Sequence, residues 1–270
     1  MQEIREIGKV NWTREEIIAS IPEFLALYKN KPIASNEGGM KTPHLFATWF
    51  MLKKLNPAQV VESGVWKGLG TWLIEQTLPE ARIYSIDVNP KFREYRSDRA
   101  QYFERDFSKL DWSMIEDKEN TVLFFDDHQN AFERIVQGKA LGFKKFIFED
   151  NYPAQTGDCY SLKKAFQYAG FKPGLYAGSL LYRLKQIVMW PSRNRIKPNA
   201  QDAAYLNEVL TTYHEFPPVF KSDMMRNGDA WTQENYPTPA PLFTKVEHDF
   251  LQVFQDEAMY YTWICLAVLK

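Results

Sequence analysis

Three groups of residues in this chain have the types and the spacing to do chemistry. The first is V-V-E-S-G-V-W-K-G-L-G at residues 60–70. Two β-branched residues run into Glu62, and Gly64, Gly68 and Gly70 follow before a helical pattern. Strand, glycine turn and helix in that order let the backbone approach a ligand at the start of the helix. Asp87, roughly 20 residues on, is placed to accept hydrogen bonds from ribose hydroxyls. NAD and S-adenosylmethionine (SAM) both offer such a diol. The dinucleotide fingerprint is G-x-G-x-x-G, whereas here three residues separate Gly64 from Gly68, and Trp66 stands where a glycine would approach a pyrophosphate. That spacing disfavours NAD. Glu62 suits a cofactor carrying a positive amino or sulfonium group.

The second group is Asp126-Asp127-His128 with Glu149-Asp150-Asn151. Each follows an apolar run that reads as a strand. Carboxylates converging at neighbouring strand ends repel unless a cation lies between them, and oxygen ligands suit Mg²⁺, Mn²⁺ or Ca²⁺. His128 is then a candidate general base. The competing reading has Asp126 or Asp127 capping the next helix while His128 only packs. The third group is the Asn36–Met40 loop with His44, which is short enough to fold over the glycine turn and equally reads as a plain connector. His214 and His248 have no supporting pattern, and Cys159 lacks a partner base, so it reads as structural.

These groups need a scaffold, and the remaining pattern supplies one. Thr13 and Glu16 form a capping box before Ile17, Ile21, Phe24 and Leu25 at helical spacing. Thr42-Pro43 opens a second helix. Strands are expected near 82–86, 101–104, 121–125 and 144–148, with helices at 131–141 and 161–169 between and after them. Apolar strands alternating with amphipathic helices mean an α/β fold, a doubly wound and mostly parallel sheet covered on both faces. The alternation stops between about 183 and 245, a stretch rich in proline and aromatic residues with one helix expected at 201–213. It reads as an ordered insertion, a lid or binding wall, rather than a linker. Residues 260–269 read as a last buried strand. The expected organisation is one domain: N-terminal helices at 1–57, a cofactor-binding core at 58–182, the insertion at 183–245, and a terminal helix and strand at 246–270.

Composition narrows the classes. Hydrophobic residues are 45% and charged residues 25%, with a net charge of −1; these are globular values, and they offer no broad surface for nucleic acid or anionic membrane. The N-terminus is too charged for a signal peptide, and no apolar run approaches the ~20 residues of a membrane span. Two distant cysteines fit a reduced, cytoplasmic protein. A homo-oligomer is compatible with all of this.

E-S-G-V-W-K-G-L-G resembles the first motif of class I SAM-dependent methyltransferases, closest to the macrocin-type and cephalosporin-hydroxylase-like O-methyltransferases. F-F-D-D-H at residues 124–128 and F-E-D-N-Y at residues 148–152 resemble the metal-binding strand ends of that branch. They are also similar to the D-H and D-N pairs of catechol-type enzymes. The resemblance covers about residues 59–170. It implies a Rossmann-like methyltransferase fold and methyl transfer from SAM to a small-molecule hydroxyl, on a sugar or secondary metabolite. Glu62 and Gly64 would lie against the amino-acid end of the cofactor, and Val65, Trp66, Gly68 and Asp126 would also belong to its site. Asp87 would hold the ribose, and Asp106 or Phe107 would border the adenine. Asp127, Glu149 and Asp150 would bind Mg²⁺ (or Mn²⁺) in the macrocin-like pattern; Asp127 or Asp126, Asp150 and Asn151 would do so in the catechol-like one. His128 resembles the catalytic histidine of the sugar methyltransferases, which lies slightly further past the acid. The other readings are an NAD-linked oxidoreductase or hydroxylase, or a non-catalytic nucleotide-binding protein, on the same fold.

Overall fold

The structure is a computed structural model that describes residues 4–172 and 195–270. Seven strands form one sheet in the order β3-β2-β1-β4-β5-β7-β6. They are β1 (Gln59–Ser63), β2 (Arg82–Ile86), β3 (Ala100–Phe103), β4 (Thr121–Phe125), β5 (Lys145–Phe148), β6 (Leu210–Glu215) and β7 (Cys265–Leu269). The first five are parallel, and β7 runs antiparallel to both β5 and β6. The helices are α1 (Arg14–Tyr28), α2 (Thr42–Leu55), α3 (Leu69–Thr77), α4 (Ala131–Leu141), α5 (Leu162–Phe166), α6 (Gln201–Val209) and α7 (Gln252–Asp256). This is the doubly wound sheet that the alternation of strands and helices implies.

The strands alternate their side chains between two cores, as a pleated strand must. Val60, Ile83, Val122, Phe124 and Ile147 face one core, together with Phe24, Phe46, Trp49 and Leu73 from α1, α2 and α3. Val61, Tyr84, Leu123, Phe125 and Phe146 face the other, with Ile135, Leu162 and Leu206 from α4, α5 and α6. Each fully buried side chain of this size contributes about 1.5–3 kcal/mol. With both faces covered, β1 and β4 are buried at every position.

The capping box at Thr13 and Glu16 is formed, and α2 starts at Thr42-Pro43. Three expectations need correction. The expected helix at 201–213 ends at Val209, and the chain continues as β6. Thr211, Thr212 and Tyr213 are β-branched or aromatic, and the free edge of β7 supplies hydrogen bonds that outweigh weak helix propensity. The helix expected at 161–169 stops at Phe166, because Tyr168 and Gly170 both take positive φ. The last strand is confined to Cys265–Leu269; just before it, the buried Tyr261 and Trp263 pack against Trp231. Of the stretch read as an insertion, residues 183–194 lie outside the described residues. Its remainder supplies α6 and the edge strand β6, so it belongs partly to the sheet. Ile7 covers the outer edge of β6 through two backbone bonds to Tyr213, at 3.1 and 2.9 Å, which blunts an exposed edge.

A buried ion pair ties α5 to β6. Lys163 Nζ donates to Glu215 Oε2 and, at 2.7 Å, to the carbonyl of Pro237, with both charged side chains no more than 5% exposed. Tyr213 donates its hydroxyl to Glu215 Oε1 at 2.9 Å. Removing one partner strands the other charge in the core. Lys163→Met is therefore expected to lower unfolding stability by about 3–5 kcal/mol, and Lys163→Met/Glu215→Leu to recover much of that loss. Urea denaturation of the two variants checks this; equal losses in both would show that packing rather than charge is at stake.

Candidate functional site

Register places the site. Ser63 pairs with Ile86 on one side and Phe125 on the other, and Phe125 pairs with Phe148. The carboxyl ends of β1, β2, β4 and β5 are therefore level, and Gly64, Asp87, Asp126 and Glu149 come out along one rim. The chain leaves β1 for β2 on one side and later returns to β4 on the other, so the rim lies at the topological switch point where α/β sheets bind ligands.

The glycine turn crosses the end of β4 closely. Gly64 has φ 99°, and a Cβ there would lie 2.0 Å from the carbonyl oxygen of Asp126. No side chain fits that approach. Trp66, at φ 51°, donates its backbone N–H to Asp87 Oδ2 at 2.9 Å, while Asn89 N–H donates to Asp87 Oδ1 at 2.8 Å. The acid at the end of β2 thus shapes the turn as well as facing the cleft. The Trp66 ring rests on Phe92, with centroids 4.7 Å apart, and its Nε1–H donates to the carbonyl of Glu37 at 3.0 Å. Gly38 and Gly39 pack against the same ring, so the 36–40 segment is strapped over the turn rather than left as a loose connector.

Between strap, turn and rim lies a cleft of about 290 Å³, near the lower end for small-molecule sites. Of the residues expected to hold a cofactor, Gly64, Trp66, Asp87, Asp106 and Asp126 line it, as do Asp127 and His128. Val88, Asn89 and Phe92 line it too; no chemical motif marked them, although their place just after Asp87 could have. Glu62, Val65 and Phe107 are buried, and they, like Gly68, do not line the cleft. Glu62 turns beneath the turn, accepting from Thr71 Oγ1 at 2.5 Å and Ser85 Oγ at 2.8 Å, with Oε1 left unpartnered. Burial pushes its carboxyl up to about 7. Gly68 serves as the N-cap of α3, at φ 97°.

The acids of β4 and β5 divide sharply. Asp127 Oδ2 accepts from Ser63 Oγ at 2.7 Å and from Arg134 at 2.8 and 3.2 Å. Arg134, buried on α4, also grips Asp106 through two bonds, at 3.1 and 2.6 Å. Burial raises the Asp106 carboxyl, but the bonds and charge of Arg134 more than offset that and hold it below the usual carboxylate range. Asn151 turns inward: its Nδ2 donates to Tyr213 at 2.8 Å and its Oδ1 accepts from Lys163 N–H at 3.0 Å. Glu149 turns to α2 and the segment before β7, with Oε1 3.0 Å from His44 Nδ1 and 3.1 Å from Thr262 Oγ1. Burial, then the charge of Asp150, push Glu149 well above the usual range, while burial, helped by the charges of Arg226 and Lys41, takes His44 down to about 3.

Asp126, His128 and Asp150 remain, and one potential ligand atom from each lies within 4.8 Å of the others. Of the residues expected as metal ligands, Asp150 and Asp126, the alternative to Asp127, are in this group; Asp127, Glu149 and Asn151 are held by other protein groups. Asp150 is buried; its Oδ2 lies 2.8 Å from His128 Nδ1, and its carboxylate also accepts from the Glu149 carboxyl. Asp158 Oδ1 is 3.1 Å from the same nitrogen. Burial lowers the affinity of His128 for a proton, yet the two carboxylates overcome that and hold it well above the ordinary value. Burial, followed by the charge of Asp150, raises Asp126 well above the carboxylate range. Two carboxylates crowded this closely fit a hard divalent cation.

No family model matches the chain, and no curated protein matches its sequence. Solved structures do match. An O-methyltransferase from Bacillus cereus in complex with S-adenosylhomocysteine (SAH) is 12% identical over 97% of this chain and 94% of its own, with a TM-score of 0.44. TomG of Streptomyces achromogenes, an O-methyltransferase involved in tomaymycin synthesis and determined with SAM, is 12% identical over 97% of this chain and 92% of its own, at 0.43. CmcI in its apo form is 20% identical, at 0.35; the match spans 44% of this chain and only 57% of CmcI. A form with Mg and SAM is 16% identical over 63% and 78%, at 0.36. The strand order is that of the class I methyltransferase fold.

Glu62 yields a pH test. Its carboxyl stands at about 7 in the folded chain against 4.5 ordinarily. A raised acid favours the folded state below the unfolded value, and that contribution is lost as pH rises through the folded value, here a loss of about 3 kcal/mol. Glu62→Gln cannot ionise. Thermal unfolding from pH 5 to pH 8 is expected to show near equality at the acid end and a more stable variant at the alkaline end. Parallel curves would show that Glu62 is ionised in the folded protein.

Proposed function

We propose that the chain is a SAM-dependent O-methyltransferase that uses a divalent metal and acts on a small-molecule hydroxyl. One observation carries the reading: the glycine turn, its distal Asp87 and Asp126 line one cleft at the switch point of the sheet, and Asp126 lies within ligand-sharing distance of His128 and of the buried Asp150 just behind it. The first feature suits a nucleoside bearing a charged tail, and the second suits a hard cation beside it.

Bound there, the sulfonium cofactor would supply the methyl group and Mg²⁺ or Mn²⁺ would supply a Lewis acid that lowers the pKa of the acceptor hydroxyl. Asp126 and Asp150 would hold the metal, which ordinarily takes one or two carboxylates and fills its remaining positions with water or substrate. Gly64 leaves room for the cofactor's close approach, and Asp87, with lone pairs beyond its two backbone bonds, accepts from the ribose. Trp66, Phe92 and the 36–40 strap form an apolar wall that keeps water from the sulfonium side. His128, beside the carboxylates, would take the acceptor's proton once a cation on Asp126 and Asp150 weakens their hold on the imidazolium and leaves the ring neutral. Holding oxygen and methyl carbon within ~3–3.5 Å in line is much of the remaining catalysis.

Calorimetric titration with SAM and SAH, in Mg²⁺ and in EDTA, tests this reading. Micromolar binding is expected, weakened at least about tenfold, or 1.4 kcal/mol, by Asp87→Ala. Mg²⁺ is expected to raise the melting temperature of the wild type but not of Asp126→Asn or Asp150→Asn. Folded protein that binds neither nucleoside would sink the methyltransferase reading.

A further inference from the structure

We infer that Asp158 is a positioning residue for His128. It holds Nδ1 of the imidazole, so that the acceptor's proton is taken at Nε2 and the ring stays a base instead of becoming a metal ligand. The inference rests on the methyl-transfer reading and assigns a role to a residue that no motif marked.

The geometry is specific. His128 Nδ1 lies between two carboxylates, 2.8 Å from Asp150 Oδ2 and 3.1 Å from Asp158 Oδ1. These two acids are not equivalent. Asp150 belongs to the group whose atoms converge tightly enough to hold a cation, whereas Asp158 does not. An oxygen drawn to a divalent cation gives up much of its capacity to accept from an imidazole. Once Asp150 serves the metal, Asp158 is the carboxylate left to hold Nδ1. An imidazole's two nitrogens point in different directions, and the bond made by one decides which tautomer the other presents.

The loop that carries Asp158 is constrained to present it. Gly157 has φ 69°, and a Cβ there would meet the Tyr152 ring at 2.1 Å. Cys159 Sγ donates to the carbonyl of Asp150 at 3.4 Å, and Ser161 Oγ donates to the carbonyl of Tyr152. The residues on both sides of Asp158 are thereby fastened to the chain leaving β5. His128 meets them from the end of β4 with a backbone φ of 52°, a conformation uncommon outside glycine that clusters at functional sites. The competing explanation is that Asp158 is only a strut fastening its loop to β4.

Ring-nitrogen NMR separates the two. The chain has four histidines, so a ¹⁵N-histidine sample gives few signals, and His128→Asn identifies those of His128. In wild-type protein with Mg²⁺ and SAH at alkaline pH, His128 is expected in the tautomer protonated at Nδ1. Asp158→Asn, which keeps an accepting oxygen, is expected to preserve that tautomer. Asp158→Ala is expected to lose it, with SAH affinity changed by less than about twofold. Unaltered His128 signals in Asp158→Ala, accompanied only by a lower melting temperature, would make Asp158 a strut and overturn the inference. A wild-type ring unprotonated at Nδ1 would overturn it as well, without recourse to any variant. Failure of wild-type protein to bind SAH would count against methyl transfer instead, and the spectrum with Mg²⁺ alone would still decide the role of Asp158.

Discussion

Parallel pairing in strict register brings the carboxyl ends of β1, β2, β4 and β5 to one level, and the site follows from that constraint. Strand ends in a parallel sheet all point their next residues the same way, so whatever follows each strand is forced onto a common rim. Here those residues are a glycine and a series of acids. The glycine is required because the turn after β1 crosses the carbonyl at the end of β4 at a distance no side chain allows. The acids are costly because several are buried together.

The protein meets that cost unevenly. Arg134 on α4 neutralises Asp127 and Asp106 together. The Glu149 carboxyl is absorbed by His44 and Thr262, and Asn151 by the hydrogen-bond network that ends in the Lys163–Glu215 pair. Each of these partners comes from a different element, and each leaves its acid or amide satisfied. Among the described residues, the one salt bridge to the pair Asp126 and Asp150 is that of His128 to Asp150. A buried charge left so poorly compensated is expensive. The fold spends stability there, which is how functional carboxylates commonly differ from structural ones.

The cofactor side follows a different logic. Asp87 is bonded to two backbone N–H groups, so it fixes the path of the turn while keeping lone pairs for a ligand. Trp66 sits in a left-handed conformation that turns its ring onto Phe92 and under the 36–40 strap. A glycine at that position would leave the cleft without its wall. The feature that departs from a dinucleotide fingerprint is thus the one that closes the site.

The sequence by itself determined the elements and the rim. Periodicity and caps located α1, α2, β1, β2, β4 and α4 closely, because these segments bury one consistent face and their local chemistry agrees with their place in the fold. The same reading placed the acids at strand ends, since a strand's end and the residues after it are contiguous in the chain. Tertiary structure decided the rest. β6 was not legible because a short segment after a helix takes strand conformation only when a neighbouring edge is available to pair with it. The division of labour among the acids was not legible either. Asp126 and Asp127 are adjacent and chemically identical, yet one faces His128 and Asp150 while the other faces Arg134, seven residues further along the chain. Asp158 carried no signal at all, since its role depends on a nitrogen 3.1 Å away in space and thirty positions away in the chain. Spacing along a chain reports which residues reach a rim; only the packing around the rim reports which of them are left with work to do.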